Sequence, residues 1–423
     1  MTAVMLETAL SYKTNRENEA MDLFDKVIKK EKESLEDSEQ FIKAKEQSIL
    51  ELARMYASKK MDKELQHLII NTRGFLLTIS KAKAAKMVRA LVDIYIEMDM
   101  KSGFEIELCL ECIQWAKSEK RIYLRQSLEA LLISLYFEVG KYSEGLDLVR
   151  TLLYELKQLD DKSLLVEVQL YESKIYNAIH NLSKARGALT SARTTATTIY
   201  CAPKVQARLD LQTGILHAAE DKDYKTAFSY FYEAFEGFDS INSPTALTAL
   251  KYMLLCKIIM DAPDDVTSIV TGKLALKYSG RDINALKAVA SSYKNKLLVE
   301  YKECLKEYHT ELVQDPVINH HLKKLYEKLF ENNLLRIVEP FKTVQIDKIA
   351  RLINLPRSEV EPKLSTMILD KQLNGTLDQG SGILELFDSC DLDENYQTII
   401  ETVQSLEKVM NSLYDKAKQL TCL

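Results

Sequence analysis

Cys109 and Cys112 are the residues whose type and spacing come nearest to chemistry: a CxxC, the pattern of a redox-active pair or of half a zinc tetrad. They lie inside Glu105-Ile-Glu-Leu-Cys-Leu-Glu-Cys-Ile-Gln-Trp115, a helical pattern in which positions three apart share a face. Neither a second CxxC nor a nearby His completes a ligand set, so two thiols packed in a helix interface is the reading the surroundings favour. His320 and His321 are neighbours in sequence, so on a helix they point to different sides and make a poor ligand pair. The sequence holds no glycine-rich phosphate loop, no HExxH, no GxSxG and no plausible Cys-His pairing. Carboxylates are spread over a charged helical surface, which singles out no acid–base pair. The expectation is a chain that is not an enzyme and that holds no cofactor and no metal.

Other residues are suited to contact rather than reaction. Lys81, Lys83, Lys86 and Arg89 fall in a stretch without an acid from Ser80 to Val92, either a basic stripe for an acidic partner or a solvated helix face. Phe228, Phe231, Tyr232, Phe235 and Phe238 recur at helical spacing, which predicts an inter-repeat core, with a peptide groove as the alternative. Ser191-Ala-Arg-Thr-Thr-Ala-Thr-Thr198 has small side chains that let helices approach closely. Near the end of the chain, after the polar Asp391-Leu-Asp-Glu-Asn395, Tyr396, Val403, Met410 and Ala417 occupy one heptad position, and Ile399, Leu406, Leu413 and Leu420 the other. Four heptads with a narrow apolar seam describe a helix built for a bundle. A strict seam after a completed domain predicts packing against helices of other chains rather than against the chain's own body.

The elements that position these residues are helices. In 423 residues there are only 12 Gly and 7 Pro, with 46% hydrophobic and 28% charged residues at a net charge of −5. So few breakers predict a nearly all-helical protein, and so weak a net field implies no polyanionic partner. Met1 to Glu7 lacks a basic leader, no run approaches the roughly 18 apolar residues of a membrane span, and seven scattered Cys fit reduced thiols. A chain that is soluble, unsecreted and free of membrane contacts is expected, in cytoplasm and nucleus. A polar turn followed by a small or apolar helix-opening residue recurs around positions 20, 64, 105, 145, 185, 227 and 266, in steps of 44, 41, 40, 40, 42 and 39. A period near 40 marks stacked helix pairs, each needing a neighbour to cover its apolar face. Lys29-Lys-Glu-Lys-Glu33, with Glu36, Asp37 and Glu39, reads as the solvated connection between the first two helices.

Toward the C-terminus the pattern changes. Asp315-Pro316 opens a helix through Ile318, Leu322, Leu325, Leu329 and Phe330. Leu334 to Val338, ended by Glu339-Pro340, reads as a brief strand, and Val344, Ile346, Ile349, Ala350 and Ile353 follow at helical spacing. Ser358 and Glu361 suggest a capping box for a second helix with Val360, Leu364, Met367, Ile368 and Leu373 on its apolar face, and Pro362 shifts its start. Gly375 to Gln379 and Ile383 to Phe387 then form a hairpin around Gly380-Ser-Gly382. Strand, helix, helix and two-stranded ribbon is the order of a winged helix. From 340 to 390 six Lys or Arg stand against seven Asp or Glu, a balance of −1 that offers phosphates nothing, so no nucleic acid is expected.

A helical-repeat solenoid capped by a winged helix resembles the PCI family, shared by the proteasome lid, the COP9 signalosome and the translation initiation factor 3 complex. Lys45-Glu-Gln-Ser-Ile-Leu-Glu-Leu52, Glu107 to Lys120, Ala188-Leu-Thr-Ser-Ala-Arg-Thr-Thr-Ala196, Tyr230-Phe-Tyr-Glu-Ala-Phe-Glu-Gly237, Lys251 to Ile258, Met367 to Lys371 and Leu377-Asp-Gln-Gly380 resemble its proteasome-lid members. The resemblance implies an all-α fold: a right-handed, TPR-like helical-repeat solenoid over 1–222, a PCI domain over 223–391 and a C-terminal bundle helix over 392–423. Within the PCI domain, 223–335 is helical and 336–390 the winged helix. It also implies a non-catalytic scaffold of the proteasome regulatory particle lid, serving ATP-dependent degradation of ubiquitinated proteins. Its partners would be the other PCI lid subunits and the lid deubiquitinase, with the ATPase ring and core particle reached through the N-terminal solenoid. A scaffold of the signalosome or initiation factor, or a free peptide-binding adaptor, are the alternatives.

Overall fold

The structure is a computed structural model that describes residues 21, 23–26, 28, 38–76, 79–97, 104–221, 223–272, 275–313, 315–353, 355–387 and 392–421. The expected repeat opener at Asn18 to Ala20 and the connection at 29–37 lie outside the described residues. Its contacts divide the chain into two compact units, 1–256 and 257–423.

In the first unit the helices are α1 (Ser38–Ser58), α2 (Asp62–Leu76), α3 (Lys81–Glu97), α4 (Phe104–Ser118), α5 (Ile122–Val139) and α6 (Tyr142–Leu159). They continue with α7 (Lys162–Ala178), α8 (Leu182–Thr197), α9 (Pro203–Leu216) and α10 (Tyr224–Ser240), and α11 (Thr245–Ile259) begins there. The odd-numbered helices touch one another in succession, α1 with α3, α3 with α5, α5 with α7 and α7 with α9, so they form one layer. The even-numbered helices α2 to α8 each pack on the odd helix before and after them, the arrangement of a helical solenoid.

The repeat has a local cause. Lys60, Gly140, His180 and Asp261, at the ends of α1, α5, α7 and α11, are left-handed. In each case the next N–H closes back on the helix: Met61 to the Tyr56 carbonyl, Lys141 to Tyr136, Asn181 to Tyr176 and Ala262 to Lys257. This closure satisfies carbonyls that a helix end leaves orphaned and turns the chain into the next helix. Within a turn of entry each following helix buries one residue: Leu65, Ile106, Gly145, Ala185, Ala227 and, in α12 (Pro263–Thr271), Val266. In α2 and α4 that residue is one beyond the expected Glu64 and Glu105. Asn181 and Asp223 cap α8 and α10 by accepting from the Lys184 and Thr226 N–H groups. Between α9 and α10 the approach is close, because Gly214 faces the Phe231 ring and Gly237 faces Ala207.

The second unit continues with α13 (Arg281–Asn295), α14 (Leu298–Glu307), α15 (His309–Val313) and α16 (Pro316–Val338). Asp315 caps α16 by accepting from the Val317 N–H, with Pro316 in the first turn, as its sequence predicts. The Tyr293 hydroxyl and Lys328 Nζ both donate to Asp261, tying α13 and α16 to the turn after α11. Then come β1 (Thr343–Gln345), α17 (Ile346–Ile353), α18 (Arg357–Leu369), β2 (Gly375–Asp378) and β3 (Ile383–Leu386), with antiparallel strand order β1-β3-β2. Val344, Ile349, Leu364, Met367 and Leu384 close the interior of this winged helix.

Three local expectations are corrected. Leu334 to Val338 is the last turn of α16, not a strand, because Leu334 and Val338 prolong the buried face of Leu322, Leu325 and Leu329. The first strand is Thr343–Gln345, so Val344 belongs to it and not to the helix. No capping box forms at Ser358: Pro356 is the N-cap without a side-chain bond, and Glu361 instead accepts from Arg357. Pro362 sits inside α18 without ending it.

Candidate interaction surfaces

The last helix, α19 (Leu392–Thr421), runs for 30 residues. From Thr398 to Lys418 every side chain is exposed. Tyr396, Ile399, Val403, Leu406, Met410 and Leu413, six of the expected seam residues, are between 57% and 66% exposed, where large apolar side chains are ordinarily shielded. The side chain of Leu420 lies outside the described residues. Ile400, Val409 and Tyr414 are exposed too. These three flank the seam at heptad positions next to its core, so the apolar face is wider than a two-helix seam and fits several neighbours. A strict search for two heptad positions passes over them, although an i, i+4 search from Tyr396 and Met410 finds Ile400 and Tyr414.

The basic stripe lies on α3, whose buried face is Ala84, Met87, Val88, Leu91, Val92 and Tyr95. Lys81, Lys83, Lys86 and Arg89 are all exposed, with Lys83, Lys86 and Arg89 on the side away from that face. The structure separates Arg89 from the lysines, since it alone of the four lines a cleft formed with α5, α7 and α9. Phe231, Phe235 and Phe238 of α10 are buried and Tyr232 is exposed, so this set is core. Phe231 packs at 5.4 Å, centroid to centroid, against Tyr252.

Of the residues that looked chemical, both thiols and one of the two histidines are enclosed. Cys109 and Cys112 are buried free thiols on α4, and burial pushes Cys109 up to about 12, far from a reactive thiolate. His321 is buried and lowered to about 4 by that burial, while His320 is exposed. On the winged helix, Arg357 pairs with Glu361 at 3.2 Å and Lys363 with Glu331 at 2.6 Å, and Lys348 lies 4.9 Å from the centre of the Phe341 ring. The winged helix also exposes apolar side chains, Leu352, Leu369 and Phe387.

Residues 2–139 match the N-terminal domain of 26S proteasome regulatory subunit RPN6, and residues 305–388 match the PCI domain. The chain is 49% identical over 381 residues to a probable 26S proteasome regulatory subunit, rpn-6.1, of Caenorhabditis elegans, covering 90% of this chain and 87% of the relative. It is 44% identical over 404 residues to a probable 26S proteasome regulatory subunit, rpn6, of Schizosaccharomyces pombe, covering 95% of each. The RPN6 subunit of Saccharomyces cerevisiae is 41% identical over 380 residues, 89% of this chain and 87% of that one. The chain belongs to the RPN6 family of 26S proteasome regulatory subunits. Within this family the PCI match spans α16 and the winged helix, and α19 follows directly after it. Arg89 lies inside the RPN6 N-terminal match, whereas the α9 wall of its cleft lies beyond it.

Proposed function

We propose that this chain is a non-catalytic scaffold of the lid of the 26S proteasome regulatory particle, supporting lid assembly and its attachment to the ATPase base and core particle. In that reading α19 and the winged helix hold the other PCI subunits and the lid deubiquitinase, and the N-terminal solenoid reaches toward the ATPase ring and core particle. The working division is a solenoid over 1–222, a PCI domain over 223–391 and an assembly handle over 392–423, in a subunit of cytoplasm and nucleus. The observation that carries this is the uncovered seam of α19. Fully burying one large apolar side chain is worth about 1.5–3 kcal/mol. Six such residues in one stripe, each a little over half exposed, would contribute about 5–11 kcal/mol, of the same order as the roughly 4–15 kcal/mol that association costs. The mechanism is geometric: several weak contacts on one chain hold other subunits in register at high effective concentration. Charge supports protein over nucleic acid as the partner, since the winged-helix segment balances to −1.

The test is a gentle pull-down of tagged full chain, followed by sizing and a fluorogenic peptidase assay. The expected eluate is a particle of megadalton order with ATP-dependent peptidase activity, and a chain cut after Asp391 should fail to enter it. Entry of the truncated chain with undiminished affinity would sink the handle reading.

A further inference from the structure

The odd-numbered helices of the first unit leave a cleft of about 410 Å³ between α3, α5, α7 and α9. That lies within the roughly 300–1,000 Å³ over which ligand sites fall. Arg89 reaches it from α3, and Lys204 and Arg208 from the first two turns of α9. None of the three is in an ion pair among the described residues. Of the two carboxylates along the wall, Asp93 has contacts of its own, which leaves Glu167. The half-buried Tyr171 lines the cleft between them, with Lys174 Nζ 5.2 Å from its ring centre. Burial, and after it the like charge of Arg208, lower Lys174 to about 8 against the opposing pull of Glu138, so this wall gathers cations close together. The chain as a whole carries −5, so the cations gathered here run against its overall sign.

Two of them, Arg89 and Lys204, are exposed on different helices, so the layer presents cations that are in no ion pair among the described residues. We propose that this cleft docks an extended acidic segment of a partner protein, with Arg89 taking one carboxylate and Lys204 and Arg208 taking others further along the strand. An extended chain places successive side chains at a regular rise, which suits cations presented by separate helices. The apolar stems of these long side chains and the Tyr171 ring pack against its backbone.

Fluorescence anisotropy on the full chain tests this, with a labelled peptide of alternating Glu and Gly as the probe at low salt. Saturable binding is expected, weakened about tenfold by Arg89→Gln and again by Lys204→Gln, the worth of one charge-assisted contact. Lys83→Gln and Lys86→Gln, equal charge changes outside the cleft, should leave it unchanged, and so should removal of residues 392–423. Arg208→Gln is read together with a thermal melt, because Arg208 is half-buried. The proposal is overturned by any of three results: no saturable binding, equal weakening by the lysines outside the cleft, or equally effective displacement by a single-stranded oligonucleotide of the same charge.

Discussion

Gly214 and Phe231 compete for one small volume: a Cβ on Gly214 would lie 2.6 Å from Phe231 Cε1, inside contact distance, with the ring itself buried. Gly214→Ala should therefore destabilise the chain by about 1–3 kcal/mol in denaturant titrations, as overpacked cores do. Gly187, on the exposed side of α8 with nothing within 4 Å of its added Cβ, should gain about 0.5–1 kcal/mol on the same change. The aromatic spacing of α10 shows in the sequence as core, but nothing local to Gly214 marks it, because its partner stands on the facing helix. Lys174 makes a similar point about charge. An ordinary lysine releases its proton near 10.4 and Lys174 near 8, so between those values the unfolded chain binds the extra proton and stability rises with pH. Below pH 8 the buried ammonium opposes folding in full. Lys174→Met should then stabilise the chain at pH 7 by about 1–2 kcal/mol, discounted for the solvent that still reaches the side chain, and the gain should fade by about pH 10.5 in melts across that range.

Elements were legible where the signal is local and repeated. The left-handed turn and its back-closing N–H recur because short polar turns recur, and the period near 40 follows. The misplaced strand has a physical reason too. Leu334 to Val338 is five residues long, and so short an apolar run fits a buried strand or the last turn of a helix equally well until the earlier turns of α16 decide. Pro362 misleads for a related reason: only one backbone bond near the start of α18 is lost, and the buried Val360, Leu364 and Met367 hold the helix regardless. At the cap of α8, Asn181→Ala removes the acceptor for the Lys184 N–H and should cost about 1 kcal/mol, read by denaturation of the full chain. On α19 the opposite holds. Leu406→Glu alters an exposed position, so the melting of the isolated chain should stay within about 0.5 kcal/mol of the parent. Its incorporation into the lid should fall at least about tenfold in a competition pull-down, since a charge placed in the seam must be desolvated in the bundle.

At the scale of the whole molecule, an uncovered apolar helix is an interface waiting for its partner, and an isolated chain has only its own copies to offer. A helix of 30 residues is about 45 Å long, and its stripe of Tyr396, Ile399, Val403, Leu406, Met410 and Leu413 repeats with the period that lets one helix pack along another. Heptad seams are self-complementary, and a net charge of −5 over 423 residues is too weak to keep copies apart at physiological salt. Purified full chain should therefore associate in a concentration-dependent way in sedimentation velocity. Both Leu406→Glu and removal of residues 392–423 should return it to a single slow species. High salt should strengthen this association, because the contact is apolar and the charges flanking it are screened. Weakening by salt would assign the association to surface charge instead. A parent chain that stays monomeric while residues 392–421 resist proteolysis would mean the chain's own body covers the seam, and the assembly role of α19 would fall with it.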